Sequence, residues 1–225
     1  GLAKPKTVLT AALGCFALAG VAGLALVALS GTWWLIVAGA AAVVAAWFYT
    51  GGKHPYAYMG IGLSELMVFV FFGLLACVGT AWTQVQVAPW WLWMCASALG
   101  LLSVALLMAN NVRDIPTDIE AGKLTMAVRL GERWSRITYI VEMALALGLG
   151  VLLLDENPWF LLIFLLVGPT IHSCVTVWTR GGRDLIPVLK QAGIVALVYS
   201  VILALAVWLG SLDIISHEVQ VFTGY

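Results

Sequence analysis

WWLWMCASALGLLSVALLMANNVRDIPTDIEAGKLTMAVRLGERWSR, residues 90–136, changes character at Asn110. Residues 90–109 contain no acid and no base, whereas residues 110–136 hold four of the chain's 11 acids and five of its 11 Lys and Arg. A run of roughly 20 apolar residues is what a helix needs to cross a bilayer. Six further runs of that kind occur, near 7–29, 33–50, 63–83, 136–154, 158–178 and 189–209, in a sequence that is 63% hydrophobic and 10% charged. Open strands would leave backbone groups unpaired in lipid, and barrel strands alternate instead of running apolar. The fold class is therefore all-α, a polytopic transmembrane helix bundle of seven spans.

The connections support that count. When they are assigned alternately to two sides, one side receives Lys4, Lys6, Lys53, Arg113, Lys123, Arg129, Arg133, Arg136, Arg180, Arg183 and Lys190, which is every Lys and Arg in the chain. The other side receives none, and one span more or fewer would scramble the partition. By the positive-inside rule the basic side is cytoplasmic. Tryptophans such as Trp33, Trp47, Trp90, Trp134 and Trp178 fall near the ends of runs, where an amphipathic indole sits at headgroup level. A net charge of zero argues against a nucleic-acid partner. Cys15, Cys77, Cys95 and Cys174 lie inside apolar runs without CxxC spacing, so they read as small hydrophobes and not as a disulfide or zinc framework.

Polar groups at the edge of a membrane are the natural place to look for chemistry. The charged stretch reads as a cytoplasmic loop. Within it Asn110, Asp114 and Asp118 are spaced four apart, so on a helix they would share one face. Two carboxylates at that spacing repel, and a divalent cation relieves the repulsion. Mg²⁺ suits the pair because it takes one or two carboxylates and accepts phosphate oxygens in its other positions. Pro116 disfavours helical geometry at Ile115, so the fourth helix is expected to end or kink there. Lys123 and Arg129 follow closely and suit phosphate oxygens, whereas Arg133 and Arg136, beside Trp134, read as lipid-headgroup contacts. AGKLT is no P-loop, because Thr117 stands where the first glycine is required.

Two acids begin or enter later spans, Glu65 in the third and Glu142 in the fifth, and each raises a functional question by its position. Tyr49, Tyr56 and Tyr58 with Lys53 are placed to wall a cavity mouth or to serve as belt residues. His172 is expected to bond a neighbouring helix.

NNVRDIPTDIEAGKLTMAVRLG (110–131) resembles the second aspartate-rich motif of the UbiA superfamily of intramembrane aromatic prenyltransferases. Its continuation, with YTGGKHPYAYMGIGLSELMVFVFFGLLACVGT (49–80), is similar to the 1,4-dihydroxy-2-naphthoate polyprenyltransferase branch. The resemblance implies Mg²⁺-dependent transfer of a polyprenyl group from a polyprenyl diphosphate to 1,4-dihydroxy-2-naphthoate, with decarboxylation, in menaquinone synthesis. It implies that Asp114 and Asp118, with Asn110, hold Mg²⁺ on the diphosphate and that Lys123, Arg129 and Lys53 neutralise the departing pyrophosphate. Asn111, Tyr49 and Glu65 would line the substrate pocket. It also implies a bacterial inner-membrane protein in contact with membrane lipid, its active-site loops cytoplasmic. The family has nine helices and two aspartate motifs, the first after its second helix. The motif here follows the fourth span where the family has it after the sixth, so a helix pair and the first motif are expected to precede Gly1. Residues 1–225 would then form a single, N-terminally incomplete prenyltransferase domain. Another aromatic acceptor such as 4-hydroxybenzoate, or a cation-coupled transporter, are the alternatives.

Overall fold

The computed structural model describes residues 4–223, with side chains through Leu212. Among these residues every regular element is helical. Helix α1 (Pro5–Ser30) starts with proline in its first turn, where the missing N–H costs nothing, and stops at Gly31 in the left-handed region. Helix α2 (Trp34–Thr50) follows a tight turn. A single 3₁₀ turn (Tyr56–Tyr58) leads to a span built from α3 (Leu63–Val68), a π-helical segment (Phe69–Leu75) and α4 (Ala76–Val85). Then come α5 (Trp90–Glu120), α6 (Met126–Leu130) and α7 (Glu132–Leu152). A 3₁₀ segment (Pro158–Leu166) runs into α8 (Val167–Thr179), and α9 (Ile186–Thr223) closes the chain.

Six of these spans are long and apolar enough to cross a bilayer, and α2, with 17 residues, is a shorter seventh. The expected polytopic helical bundle is what the chain forms, and the protein is a multi-pass membrane protein.

Helix α5 is the central post. It packs most extensively against α7 and also against the π-helical segment and α9. Its buried residues Cys95, Ala98, Leu102, Ala105, Ala109 and Val112 recur at alternating spacings of three and four, the seam that lets helices pack side by side. Helix α9 answers with Val188, Val195, Tyr199, Ile202 and Ala206. Small residues bring backbones close: a Cβ on Gly73 would lie 2.5 Å from Cα of Gly100. Lipid-like surroundings give little hydrophobic drive between helices, so such close packing and interhelical polar contacts do the joining. Tyr199 donates to the Ala146 carbonyl at 2.9 Å, Asn157 to the Ala206 carbonyl at 2.7 Å, and the hydroxyls of Tyr139 and Ser173 pair in the interior. Helices α1 and α2, by contrast, leave most of their side chains exposed.

Two expectations need correction. The charged stretch is not a loop from Asn110 onward, because α5 continues for three turns beyond its apolar part, to Glu120. Nor does Pro116 end the helix. Proline forfeits one helical hydrogen bond and disfavours helix at the residue before it, yet here it sits in the last turns, exposed, and the turn beyond it is firmly closed. The N–H of Gly122 bonds the Ile119 carbonyl at 3.1 Å, and that of Lys123 the Asp118 carbonyl at 2.8 Å. With Gly122 at φ +68° this is a Schellman stop.

Candidate active site

The base-bearing connections gather at one end of the bundle. Arg129 reaches from α6 to the Gly60 carbonyl at 3.4 Å, and Gly181 lies against the Arg136 guanidinium. At the opposite end Gln86 donates to the Ser30 carbonyl at 3.1 Å.

The continuous α5 carries Asn110, Asp114 and Asp118 on one face, as their spacing requires. The Asn110 carboxamide donates to Asp114 Oδ2 at 3.5 Å. Asp114 is also clasped by Arg113, whose Nε and Nη2 meet Oδ1 and Oδ2 at 2.6 Å each. Asp118 is buried, and Lys123 Nζ stands 3.6 Å from its Oδ1. That approach follows from the Schellman stop, which folds the chain back so that Lys123 lies over the turn it has just left. The same ammonium sits 5.3 Å from the centre of the Tyr58 ring, within cation–π range. Thr125 then caps α6 by accepting from the Val128 N–H at 3.4 Å, and this short helix presents Arg129.

The 49–62 segment closes over this end. Tyr49 and Tyr56 meet edge to face at 5.4 Å, and the Tyr56 hydroxyl donates to the Ala45 carbonyl at 2.8 Å. Burial raises the Tyr56 phenol above its ordinary value. Gly60, at φ +63°, is needed for shape and for space, because a Cβ there would stand 3.0 Å from the Leu124 carbonyl oxygen and 3.2 Å from Arg129 Cδ. One turn inward from Asp114 along α5, Asn111 donates to Glu65 Oε1 at 3.5 Å, and Ser64 donates to Glu65 Oε2 at 2.7 Å.

The structure therefore brings together Asn110, Asp114, Asp118 and Lys123 on α5 and its stop, with Asn111 and Glu65 just inside. Arg129 belongs to the same end but faces Gly60, with no tie to the acids. Lys53 is exposed in the turn after α2, and no hydrogen bond or ion pair joins it to them. Tyr49 meets Tyr56 and lies within electrostatic reach of Glu65. Arg113 and Ser64 were not anticipated as parts of this cluster. The Arg113–Asp114 adjacency was visible in the sequence, though neighbours in a helix do not face each other, and their pairing depends on the bend of a long arginine stem. His172 is exposed, and its imidazole makes no hydrogen bond among the described residues. Cavities of about 290 and 320 Å³ lie elsewhere, against Arg136 with Trp178 and against Trp159 with Leu162.

A helical bundle that gathers paired acids and several bases at one mouth defines a multi-pass membrane protein with a polar site at one end. The chain belongs to the UbiA prenyltransferase family, whose model matches residues 1–186, and it is a prenyltransferase. It is 44% identical over 213 residues to the 1,4-dihydroxy-2-naphthoate octaprenyltransferase of Mycobacterium tuberculosis, covering 94% of this chain and 72% of that one. It is 40% identical over 204 residues to the protein of the same name from Mycobacterium leprae, covering 90% and 68%. To the 2-carboxy-1,4-naphthoquinone phytyltransferase of Synechocystis it is 27% identical over 154 residues, covering 67% and 49%. No solved structure matches the chain. Family membership settles the choice between enzyme and transporter.

Proposed function

We propose that this prenyltransferase moves a polyprenyl group from a polyprenyl diphosphate onto 1,4-dihydroxy-2-naphthoate, with loss of the ring carboxylate, giving demethylmenaquinol in menaquinone synthesis. The observation that carries the reading is the α5 face on which Asp114 and Asp118 share one aspect while Lys123 is folded back to Asp118. The relatives support this acceptor: the names of those above carry a naphthoate or naphthoquinone ring, with an octaprenyl or a phytyl tail.

The acid pair fits Mg²⁺ in a particular way. Among the described residues no three His, Cys, Asp or Glu side chains group closely enough to hold a metal ion. Two carboxylates on one face suit a cation that takes its remaining oxygens from phosphate and water, so Asp114 and Asp118, with Asn110 alongside, would hold it together with the diphosphate. A bound Mg²⁺ would supply Lewis-acid stabilisation of the negative charge on the departing pyrophosphate.

The chain's own residues divide the remaining work. Lys123, a mobile point charge, neutralises the diphosphate as the allylic C–O bond breaks, with Arg129 and Lys53 joining it when the ligand draws them in. Asn111, Tyr49 and Glu65 line the space inward of the diphosphate, where the ring would stand. Apolar helix walls take the tail and keep water from the allylic cation. The acids then face the cytoplasm of a bacterial cell, on the positive-inside rule, and the apolar flanks of α1 and α2 face membrane lipid.

The test is turnover by the full-length protein, purified in detergent, with a polyprenyl diphosphate and 1,4-dihydroxy-2-naphthoate. Prenylated naphthoquinol is followed by mass spectrometry with Mg²⁺ or EDTA and in Asp114→Asn. Product that requires both Mg²⁺ and Asp114 is the expected result. Folded protein that makes no product from this acceptor overturns the naphthoate assignment, and product that persists in EDTA overturns the metal assignment.

A further inference from the structure

Glu142 lies in α7 with no role in the scheme above. It is 8% exposed, and its Oε2 has no hydrogen-bond partner. An orphaned carboxylate oxygen in a membrane bundle is expensive, so its retention calls for a partner that arrives from outside the chain. Glu65, 7% exposed, lies within electrostatic reach of it. No Lys or Arg among the described residues pairs with either acid.

The two acids are not equivalent. Glu65 is held at both oxygens, by Ser64 at 2.7 Å and by Asn111 at 3.5 Å. Glu142 is held at neither Oε2 nor by any ion pair, and so it offers a free acceptor. The span that carries Glu65 departs from α-helical winding about one turn beyond it, at the π-helical segment Phe69–Leu75, a distortion frequent at functional sites. Asn111 belongs to the same α5 face region as Asp114, three residues on. The carboxyl pair therefore sits immediately inward of the acids assigned to the diphosphate, where a second substrate must meet the first.

Chemistry selects the occupant. Two buried acids, paired by no base among the described residues, disfavour an anion and offer acceptor oxygens to a hydrogen-bond donor with no charge of its own. A phenolic hydroxyl meets that description, and a ring carboxylate is turned away from it, toward Arg129. We propose that Glu142 and Glu65 form an acceptor-side subsite, in which Glu142 receives a ring hydroxyl of the aromatic substrate while Glu65, fixed by Ser64 and Asn111, orients the ring carboxylate toward the basic mouth. A hydroxyl donating to a carboxylate also enriches its ring in electron density, which is what attack on an allylic cation needs. This subsite rests on the proposed reaction with a hydroxylated aromatic acceptor.

The test uses Glu142→Gln, which keeps the shape, and Glu142→Leu, which keeps the volume, in the full-length protein. Steady-state kinetics are measured against each substrate separately, alongside direct binding of 1,4-dihydroxy-2-naphthoate by its fluorescence. Losing a hydrogen bond to a charged group is worth roughly a tenfold to hundredfold change. The acceptor KM and binding constant are expected to rise by that factor while the prenyl diphosphate KM stays within twofold. Acceptor constants within twofold of wild type in either folded variant overturn the subsite. A second arm needs no variant: an analogue lacking the 4-hydroxyl should bind wild-type protein at least tenfold more weakly than its parent, and equal binding overturns the proposal. Wild-type protein that binds the naphthoate but makes no product points to the parent reading as the failure, since the binding comparison still judges the subsite.

Discussion

Arg113 grips the carboxylate of its own neighbour, Asp114, with two parallel bonds of 2.6 Å. The clasp neutralises one half of the acid pair while no cation is bound there. A metal that uses Asp114 must displace it, so the arginine and the metal compete for one carboxylate. Paired bonds to a charged group are worth roughly 1.5–3 kcal/mol, and partial exposure of both groups trims that. Arg113→Gln is expected to lower the Mg²⁺ concentration for half-maximal activity by about threefold to tenfold. A Mg²⁺ titration of wild type and variant reads this directly, and an unchanged midpoint means that Arg113 does not compete.

Lys123 is assigned to the diphosphate and not to the acceptor. Lys123→Ala should raise the prenyl diphosphate KM by about tenfold, the usual scale for a lost charge-assisted contact, with the acceptor KM within twofold. Equal rises in both would assign Lys123 to the shape of the mouth.

Gly122 tests whether the helix stop sets that charge in place. At φ +68° a Cβ is strained, at a cost of roughly 1–2 kcal/mol, although nothing stands within 4 Å of it. Gly122→Ala should lower the melting temperature in detergent slightly and reproduce part of the Lys123→Ala kinetic defect. A stability loss with unaltered prenyl diphosphate KM would separate the turn from the site.

Gly73 and Gly100 are constrained by space instead. A Cβ on Gly100 would fall 2.7 Å from the Phe69 ring. Gly73→Val or Gly100→Val should force α5 away from the π-helical segment, at a cost of about 1–3 kcal/mol or more, seen as a lower melting temperature and broadened elution. Melting temperatures equal to wild type would mean that the two spans yield without strain.

Tyr56 predicts an alkaline limit. Its pKa in the folded protein is raised by burial, so the neutral phenol that donates to Ala45 is favoured by folding. That stabilisation is complete below the unfolded value of about 10 and is lost as pH rises through the higher folded value. Wild-type stability should therefore fall faster above about pH 10 than that of Tyr56→Phe. Parallel decline of the two would remove this phenol from the alkaline transition.

The spans, their number and the common end of the bases were legible because bilayer thickness and charge asymmetry act on single residues and on counts. The shared face of Asn110, Asp114 and Asp118 was legible as a spacing. The fate of Pro116 was not, since it depends on hydrogen bonds beyond it that only Gly122 and the chain reversal create. The π-helical winding after Glu65 was equally hidden, because Phe69–Leu75 reads as an ordinary apolar run and its close approach to Gly100 appears only once the helices pack. Lys53 marks another limit: topology puts the base on the same side as the acids, but how far it reaches is set by the turn after α2, which the sequence does not specify.

The unbroken course of α5 past Pro116 has a consequence for how such a catalyst diversifies. Asn111, Asp114 and Asp118 stand on one rigid rod, so at about 1.5 Å per residue the offset along the axis from Asn111 to Asp114 is about 4.5 Å, and to Asp118 about 10.5 Å. On the proposed reading, that rod works as a ruler between the level of the ring and the level of the leaving group, and side-chain substitutions leave its spacing unchanged. On the same reading the tail lies against apolar walls away from this scale, so those walls could lengthen, shorten or change shape while the gauge between the two reacting partners stays constant.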